Sequence, residues 1–138
     1  MQSVLFDDIK RGVFNTAKFD SHPELLLARV LEYDTDVQNW LRPAPQEFNI
    51  TYNHGHTYES DFVVETEQII YLVEVKGEDN INDLDVIAKK KRGIHYCKVA
   101  TRWGKVNGYK EWRYLFIPSK QVMPNSSFIQ LAQRFQEL

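Results

Sequence analysis

The sequence predicts an α/β (α+β) domain: a mixed central sheet flanked by helices, in the order helix, three strands, helix, strand, helix. Three observations predict it. Apolar stretches of strand length alternate with longer stretches carrying helical stripes. The run Ile69-Ile70-Tyr71-Leu72-Val73 is almost continuously apolar, so both faces of that strand should be covered. The chain has 138 residues, the length of one domain.

Residues 1–20 have mixed character and read as an N-terminal arm ahead of a single domain that takes up the rest of the 138 residues. Ser21-His22-Pro23-Glu24 has the S-x-x-E form of a capping box with proline in the first turn, and Leu25, Leu26, Ala28, Val30 and Leu31 follow on an apolar stripe. That helix should end at 32–36. Trp40-Leu41-Arg42-Pro43-Ala44-Pro45 reads as a proline-punctuated connector. Phe48, Ile50 and Tyr52 alternate with polar residues, as in a half-buried strand, and Asn53-His54-Gly55-His56 reads as a turn. A second strand is expected over 58–65 and a third over 69–76. An acidic loop leads to a helix over 84–103, lined by Val86, Ile87, Ile94, Cys97, Ala100 and Trp103 and broken by Gly104. Residues 112–118 form a further buried strand stopped by Pro118, and a last helix spans 126–136.

Composition narrows the function classes. No stretch approaches the roughly 18 apolar residues of a membrane span. The first residues, MQSVLFDDIKRG, lack the form of a signal peptide, and a cytoplasmic protein is expected. The single cysteine, Cys97, excludes an intramolecular disulfide and a cysteine zinc cage; on an apolar stripe it reads as a small buried hydrophobe. Net charge is only −2, but the charges are segregated. Between His54 and Asp85 there are nine acidic residues and one lysine, and between Lys89 and Arg113 nine basic residues and one glutamate. That pattern suits a cation-collecting centre beside a flank that holds a polyanion; a solvated lysine-rich helix is the alternative.

The chemistry centres on the third strand. Glu74 and Lys76 are two residues apart, so they project from one face while Val73 and Val75 point to the other. A hairpin turning between Glu67 and Gln68 would set Asp61 opposite Glu74, with Cβ atoms roughly 4.5–5.5 Å apart. Two carboxylates that close repel, yet together they can hold Mg²⁺, whose remaining positions go to waters and phosphate. Glu67-Gln68 is a poor two-residue turn, so this register is an assumption. A lone E-x-K is most often a surface ion pair. An upstream Asp on an apolar strand, a helical Glu before it and a basic helix after it favour chemistry here.

Glu24, Asp61 within Ser60-Asp61-Phe62-Val63-Val64, and Glu74-Val75-Lys76 resemble the PD-(D/E)XK nuclease signature. More narrowly, the chain resembles the C-terminal endonuclease domain of type III restriction enzyme and related helicase-nuclease subunits. Lys18-Phe19-Asp20-Ser21, Trp40-Leu41-Arg42-Pro43, Tyr58-Glu59-Ser60-Asp61-Phe62, Tyr71-Leu72-Val73-Glu74-Val75-Lys76-Gly77 and Trp112-Arg113-Tyr114-Leu115-Phe116-Ile117-Pro118 carry that resemblance. It implies a restriction-endonuclease-like fold and Mg²⁺-dependent (or Mn²⁺-dependent) hydrolysis of DNA phosphodiesters. On that footing Asp61, Glu74 and Val75 hold the metal, Lys76 activates the water, and Glu24 supports the site. Ser60 stands where the family name has proline. No G-x-x-x-x-G-K-[ST] motif is present, so translocation would belong to a helicase or ATPase partner, or a modification subunit. A double-strand break needs two such sites, hence a homodimer or a partner.

Other residues carry two readings each. Glu24 can also cap Ser21. His54 and His56 form an H-x-H that reads as a polar loop before it reads as a ligand pair. Lys89 and Lys90 are candidates to reach the scissile phosphate, and Trp103, Trp112 and Tyr114 read as core. The rival to an enzyme is a catalytically silent nucleic-acid-binding or docking module of a larger complex.

Overall fold

The apolar run Ile69–Lys76 becomes the central strand of a five-stranded mixed sheet in the computed structural model. The structure describes residues 4–6, 17–19, 22–43, 49–52, 56–77 and 83–137. In chain order the elements are β1 (Val4–Phe6), β2 (Ala17–Phe19), α1 (His22–Tyr33), β3 (Asn39–Leu41), β4 (Asn49–Tyr52), β5 (His56–Glu59), β6 (Phe62–Glu65), β7 (Ile69–Lys76), α2 (Leu84–Asn107), β8 (Glu111–Pro118), a 3₁₀ turn (Ser119–Gln121), α3 (Phe128–Phe135) and β9 (Gln136–Glu137). The main sheet has the order β3-β6-β7-β8-β9. β7 and β8 are parallel and joined through α2, while the other pairings are antiparallel. β1 pairs with β2, and β4 with β5, in two small antiparallel hairpins.

Both faces of the sheet are covered, as so apolar a central strand requires. Tyr71, Val73 and Val75 join Phe62, Val64, Leu115 and Ile117 against α1 (Leu27, Ala28, Leu31) and α3 (Phe128, Leu131, Ala132). Leu72 faces the other way with Tyr114 and Phe116, onto Val86 and Cys97 of α2. Leu27 and Leu31 are fully buried, and each such side chain contributes about 1.5–3 kcal/mol. Cys97 is the small buried hydrophobe expected, its thiol pushed up to about 12 by burial.

The assumed hairpin register holds. Phe62 pairs with Val73 and Glu65 with Ile70, so the turn consists of Glu67 and Gln68. Neighbouring side chains make this unfavourable turn workable. The Thr66 hydroxyl accepts from the Ile69 N–H at 3.3 Å and lies 3.0 Å from the Ile69 carbonyl. Lys110 Nζ donates to the Thr66 carbonyl at 2.8 Å and pairs with Glu65 at 2.8 Å.

Several expectations are corrected. The start of the connector expected over 40–45 belongs to an edge strand, β3, buried through Trp40, whose indole N–H donates to the buried Glu32 carboxylate at 2.8 Å. The strand expected over 58–65 is two strands, interrupted at Ser60 and Asp61: β5 belongs to a hairpin and β6 to the main sheet. The expected arm contains the β1–β2 hairpin. α2 runs through Gly104 to Asn107, and a Cβ at Gly104 would sit 3.3 Å from the Lys110 carbonyl. That glycine serves a close return of the chain, and the helix ends instead at Gly108, in the left-handed conformation (φ 78°). Trp103, expected in the core, is 61% exposed. The capping partner Ser21, His54 and residues 78–82 of the acidic loop lie outside the described residues.

Gly108 gives a first testable expectation. A β-carbon there meets no neighbour, so the cost of Gly108→Ala is backbone strain alone. Urea unfolding should show a loss of about 1–2 kcal/mol, with Gly108→Asn losing less.

Candidate active site

The β6–β7 ladder opens at the point where the expected chemistry lies. Phe62 is the last residue of β6 paired with β7, while β7 continues to Lys76 alongside β8. At the opening the chain bends through Ser60 and Asp61. The buried Ser60 hydroxyl lies 2.8 Å from the Phe62 carbonyl and 2.9 Å from the Val73 carbonyl, tying the bend to β7. Asp61 Oδ2 accepts from the Val75 backbone N–H at 2.8 Å, so a side-chain carboxylate takes the place of the departing strand.

Continuing the register by one residue sets Asp61 against Glu74. Glu74 shares its face of β7 with Leu72 and Lys76, the face that α2 covers. From α1, the buried Glu24 reaches the same place, where its carboxyl raises the pKa of Asp61. Glu24, Asp61, Glu74 and Lys76 are therefore brought together by three stretches of chain: a helix start, a bend, and one strand with two same-face positions.

Arg42, whose role the sequence did not disclose, joins these pieces. Its Nη1 lies 2.9 Å from Glu24 Oε1 and 3.8 Å from Asp61 Oδ1, and donates to the Asp61 carbonyl at 2.9 Å. The guanidinium also stands over the Phe62 ring at 5.6 Å. Its partners are 18 and 19 positions away in sequence, so no local pattern announces it. Glu24 is thus tied to Arg42, which also reaches Asp61.

The electrostatics follow from burial. Asp61 is held well above its ordinary range by burial first, then by the charges of Glu74 and Glu24, against the opposing Val75 hydrogen bond. Burial also pushes Glu74 up to about 7, against the attraction of Lys76 and Lys89. Glu74 Oε2 is buried and has no hydrogen-bond partner among the described residues. A half-buried, closely spaced pair of this kind resists carrying two negative charges unless a cation compensates them.

That donor set fits a hard divalent cation, which takes carboxylate oxygens and needs only one or two from protein. Asp61 and Glu74 offer them, and the bare Glu74 oxygen is the observation that favours the fit. No group of three or more His, Cys, Asp or Glu side chains suited to a metal is gathered among the described residues. Val75, expected as a third ligand, meets Asp61 through its N–H.

Of the two candidate lysines, Lys89 is the one whose charge bears on Glu74, and it also pairs with Asp85 at 3.2 Å. Lys90 pairs with Glu137 at 2.8 Å and lies 4.6 Å from the centre of the Phe116 ring. A cavity of about 420 Å³ between α2 and β8, lined by Ile94, Cys97, Lys98, Arg102 and Trp112 among others, contains none of the expected site residues.

The raised carboxyls predict a pH dependence. A group whose folded pKa lies above its unfolded value binds more protons in the folded state, so stability falls as pH rises. For Glu74 the window runs from its ordinary 4.5 to about 7. The melting temperature of the metal-free protein should decline across that window and be flatter in Glu74→Gln.

No family model matches the chain, and no curated protein matches it.

Proposed function

We propose that this protein is a metal-dependent DNA endonuclease of the PD-(D/E)XK kind, hydrolysing phosphodiester bonds at Asp61, Glu74 and Lys76. The observation that carries the reading is the half-buried Asp61–Glu74 pair, with a buried, unbonded Glu74 oxygen and a lysine two positions along the same strand face.

Asp61 and Glu74 would hold Mg²⁺ or Mn²⁺. When bound, the cation supplies Lewis-acid polarisation of the phosphodiester. Lys76 orients or deprotonates the attacking water and offsets charge on the pentavalent phosphorus. Arg42 and Glu24 hold the Asp61 carboxylate in place. The basic stretch from Lys89 to Arg113 gives DNA an electrostatic footing that the chain's net charge of −2 does not. A type III restriction-like role, with an ATPase or modification subunit as partner and a cytoplasmic location, belongs to the same reading. No helix among the described residues is long and apolar enough to cross a membrane.

The test is cleavage of supercoiled plasmid in Mg²⁺ or Mn²⁺, alongside EDTA and folded Asp61→Asn protein. Nicking or linearisation that vanishes in both controls supports the enzyme. DNA binding without any cleavage would favour a docking module that keeps the fold without turnover.

A further inference from the structure

The outward face of α2 is unlike an ordinary solvated helix surface. Val99, Trp103 and Val106 follow one another at i, i+4 and i+7, a stripe that normally packs against a core. Here the stripe is exposed: Trp103 by 61% and Val106 by 86%, with Tyr109 beside them at 64%. The helix buries its other side, through Val86, Gly93, Cys97 and Gly104, against the sheet.

The two aromatic rings are arranged rather than scattered. Trp103 and Tyr109 stack with centroids 5.2 Å apart and planes 11° from parallel. Backbone geometry fixes the pair. The Tyr109 N–H donates to the Gly104 carbonyl at 2.9 Å, Gly108 turns the chain in the left-handed conformation, and a Cβ on Gly104 would already touch Tyr109 at 3.4 Å. A surface stack held by a close glycine approach is available without ordering flexible side chains.

Charge selects the occupant. From Val86 to Lys110 the chain has eight Lys or Arg and no Asp or Glu, in a protein of net charge −2. Arg92, eleven residues or about three turns before Trp103, lies on the same side of α2, whereas Lys98 and Lys105 project from the opposite side. An anionic polymer that also presents flat rings matches this surface on both counts. Single-stranded nucleic acid is such a polymer, whereas duplex DNA hides its base faces.

We infer that the Trp103–Tyr109 stack, with Arg92 and Lys89 on the same side of α2, is a platform for the unpaired bases of a nucleic-acid strand. The platform lies about 21 Å along α2 from Lys89, taking 1.5 Å per residue. Fourteen residues are close to four full turns, so Lys89 and Trp103 share a side of the helix. Lys89 is the lysine that bears on Glu74, so a strand lying along α2 leads from the platform toward the carboxylates. The inference extends the nuclease reading to its substrate, a strand with an unpaired segment, but the binding it asserts is measurable without cleavage.

The experiment is fluorescence anisotropy of a labelled oligothymidylate and of a blunt duplex, with the full chain in EDTA. Trp103→Ala and Tyr109→Ala should each weaken oligothymidylate binding about 10-fold, while Trp103→Phe retains it. Duplex binding, resting on charge, should change little in all three. Oligothymidylate affinity unchanged in both alanine variants would overturn the platform, as would an equal loss for the duplex. Wild-type protein that adsorbs to phosphatidylserine vesicles but not to the oligonucleotide would reassign the surface to lipid. Wild-type protein that binds the oligonucleotide but does not cleave it when Mg²⁺ or Mn²⁺ is supplied would sink the nuclease reading and leave this one standing.

Discussion

Replacing Lys76 by alanine is expected to lower the cleavage rate by about 10²–10⁴-fold, the range for losing a proton-transfer or charge-stabilising group. The folded state should survive. Lys76 is only partly buried and ends β7 next to Gly77, so its removal opens no core cavity. Its charge also lowers the Glu74 pKa, against burial. Without it Glu74 should protonate more readily, and the residual rate should therefore recover at higher pH. Initial rates of plasmid nicking across pH, for wild type and Lys76→Ala, check both expectations. Lys76→Arg should keep the electrostatic part and remain slow, because guanidinium does not give up a proton at working pH.

The second large effect concerns Arg42, and it acts on stability. Its guanidinium is the cation shared by the Glu24 and Asp61 side chains, in a place where Arg42 is 14% and Glu24 9% exposed. Removing one partner from a buried ion pair strands the other charge, at a cost of about 3–5 kcal/mol. Arg42→Ala should lose that much in urea unfolding near neutral pH. The loss should shrink in mild acid, where the stranded carboxyls take up protons. Adding Glu24→Gln to Arg42→Ala should restore part of the stability, since the double variant removes the uncompensated charge. An Arg42→Ala protein as stable as wild type would mean that Arg42 does not organise this cluster.

How much of this was legible in the sequence depended on distance along the chain. The E-x-K face of β7, the coverage of both its faces and the β6–β7 register followed from period-2 patterning and a turn position, and the structure agrees with each. Glu24, Asp61, Glu74 and Lys76 meet because those local rules hold. Arg42 was hidden, because its role is set by partners brought to it by α1 and by the bend at Asp61. β3 was hidden too: three residues before a proline carry little strand signal, and the strand exists through pairing with β6. The strand over 58–65 looked continuous since Ser60 and Asp61 break it by hydrogen-bonding backbone with their side chains, which no hydropathy pattern records. Gly104 and Trp103 misled for a related reason. A glycine in a helix suggested an end, and a tryptophan on a stripe suggested core, whereas here one admits a close chain return and the other lies outside. The Lys90–Glu137 pair was hidden as well, because Glu137 comes from the far end of the chain.

The claim on which the rest depends is that Asp61 and Glu74 share a divalent cation, and Mn²⁺ titration of the purified chain by calorimetry reads it most directly. Wild-type protein should bind one Mn²⁺ with release of protons, because a carboxyl pushed up to about 7 must give up its proton to become a ligand. Asp61→Asn and Glu74→Gln, both folded, should lose that binding and its proton release. Wild type that binds no Mn²⁺, or variants that bind it as wild type does, would contradict the account.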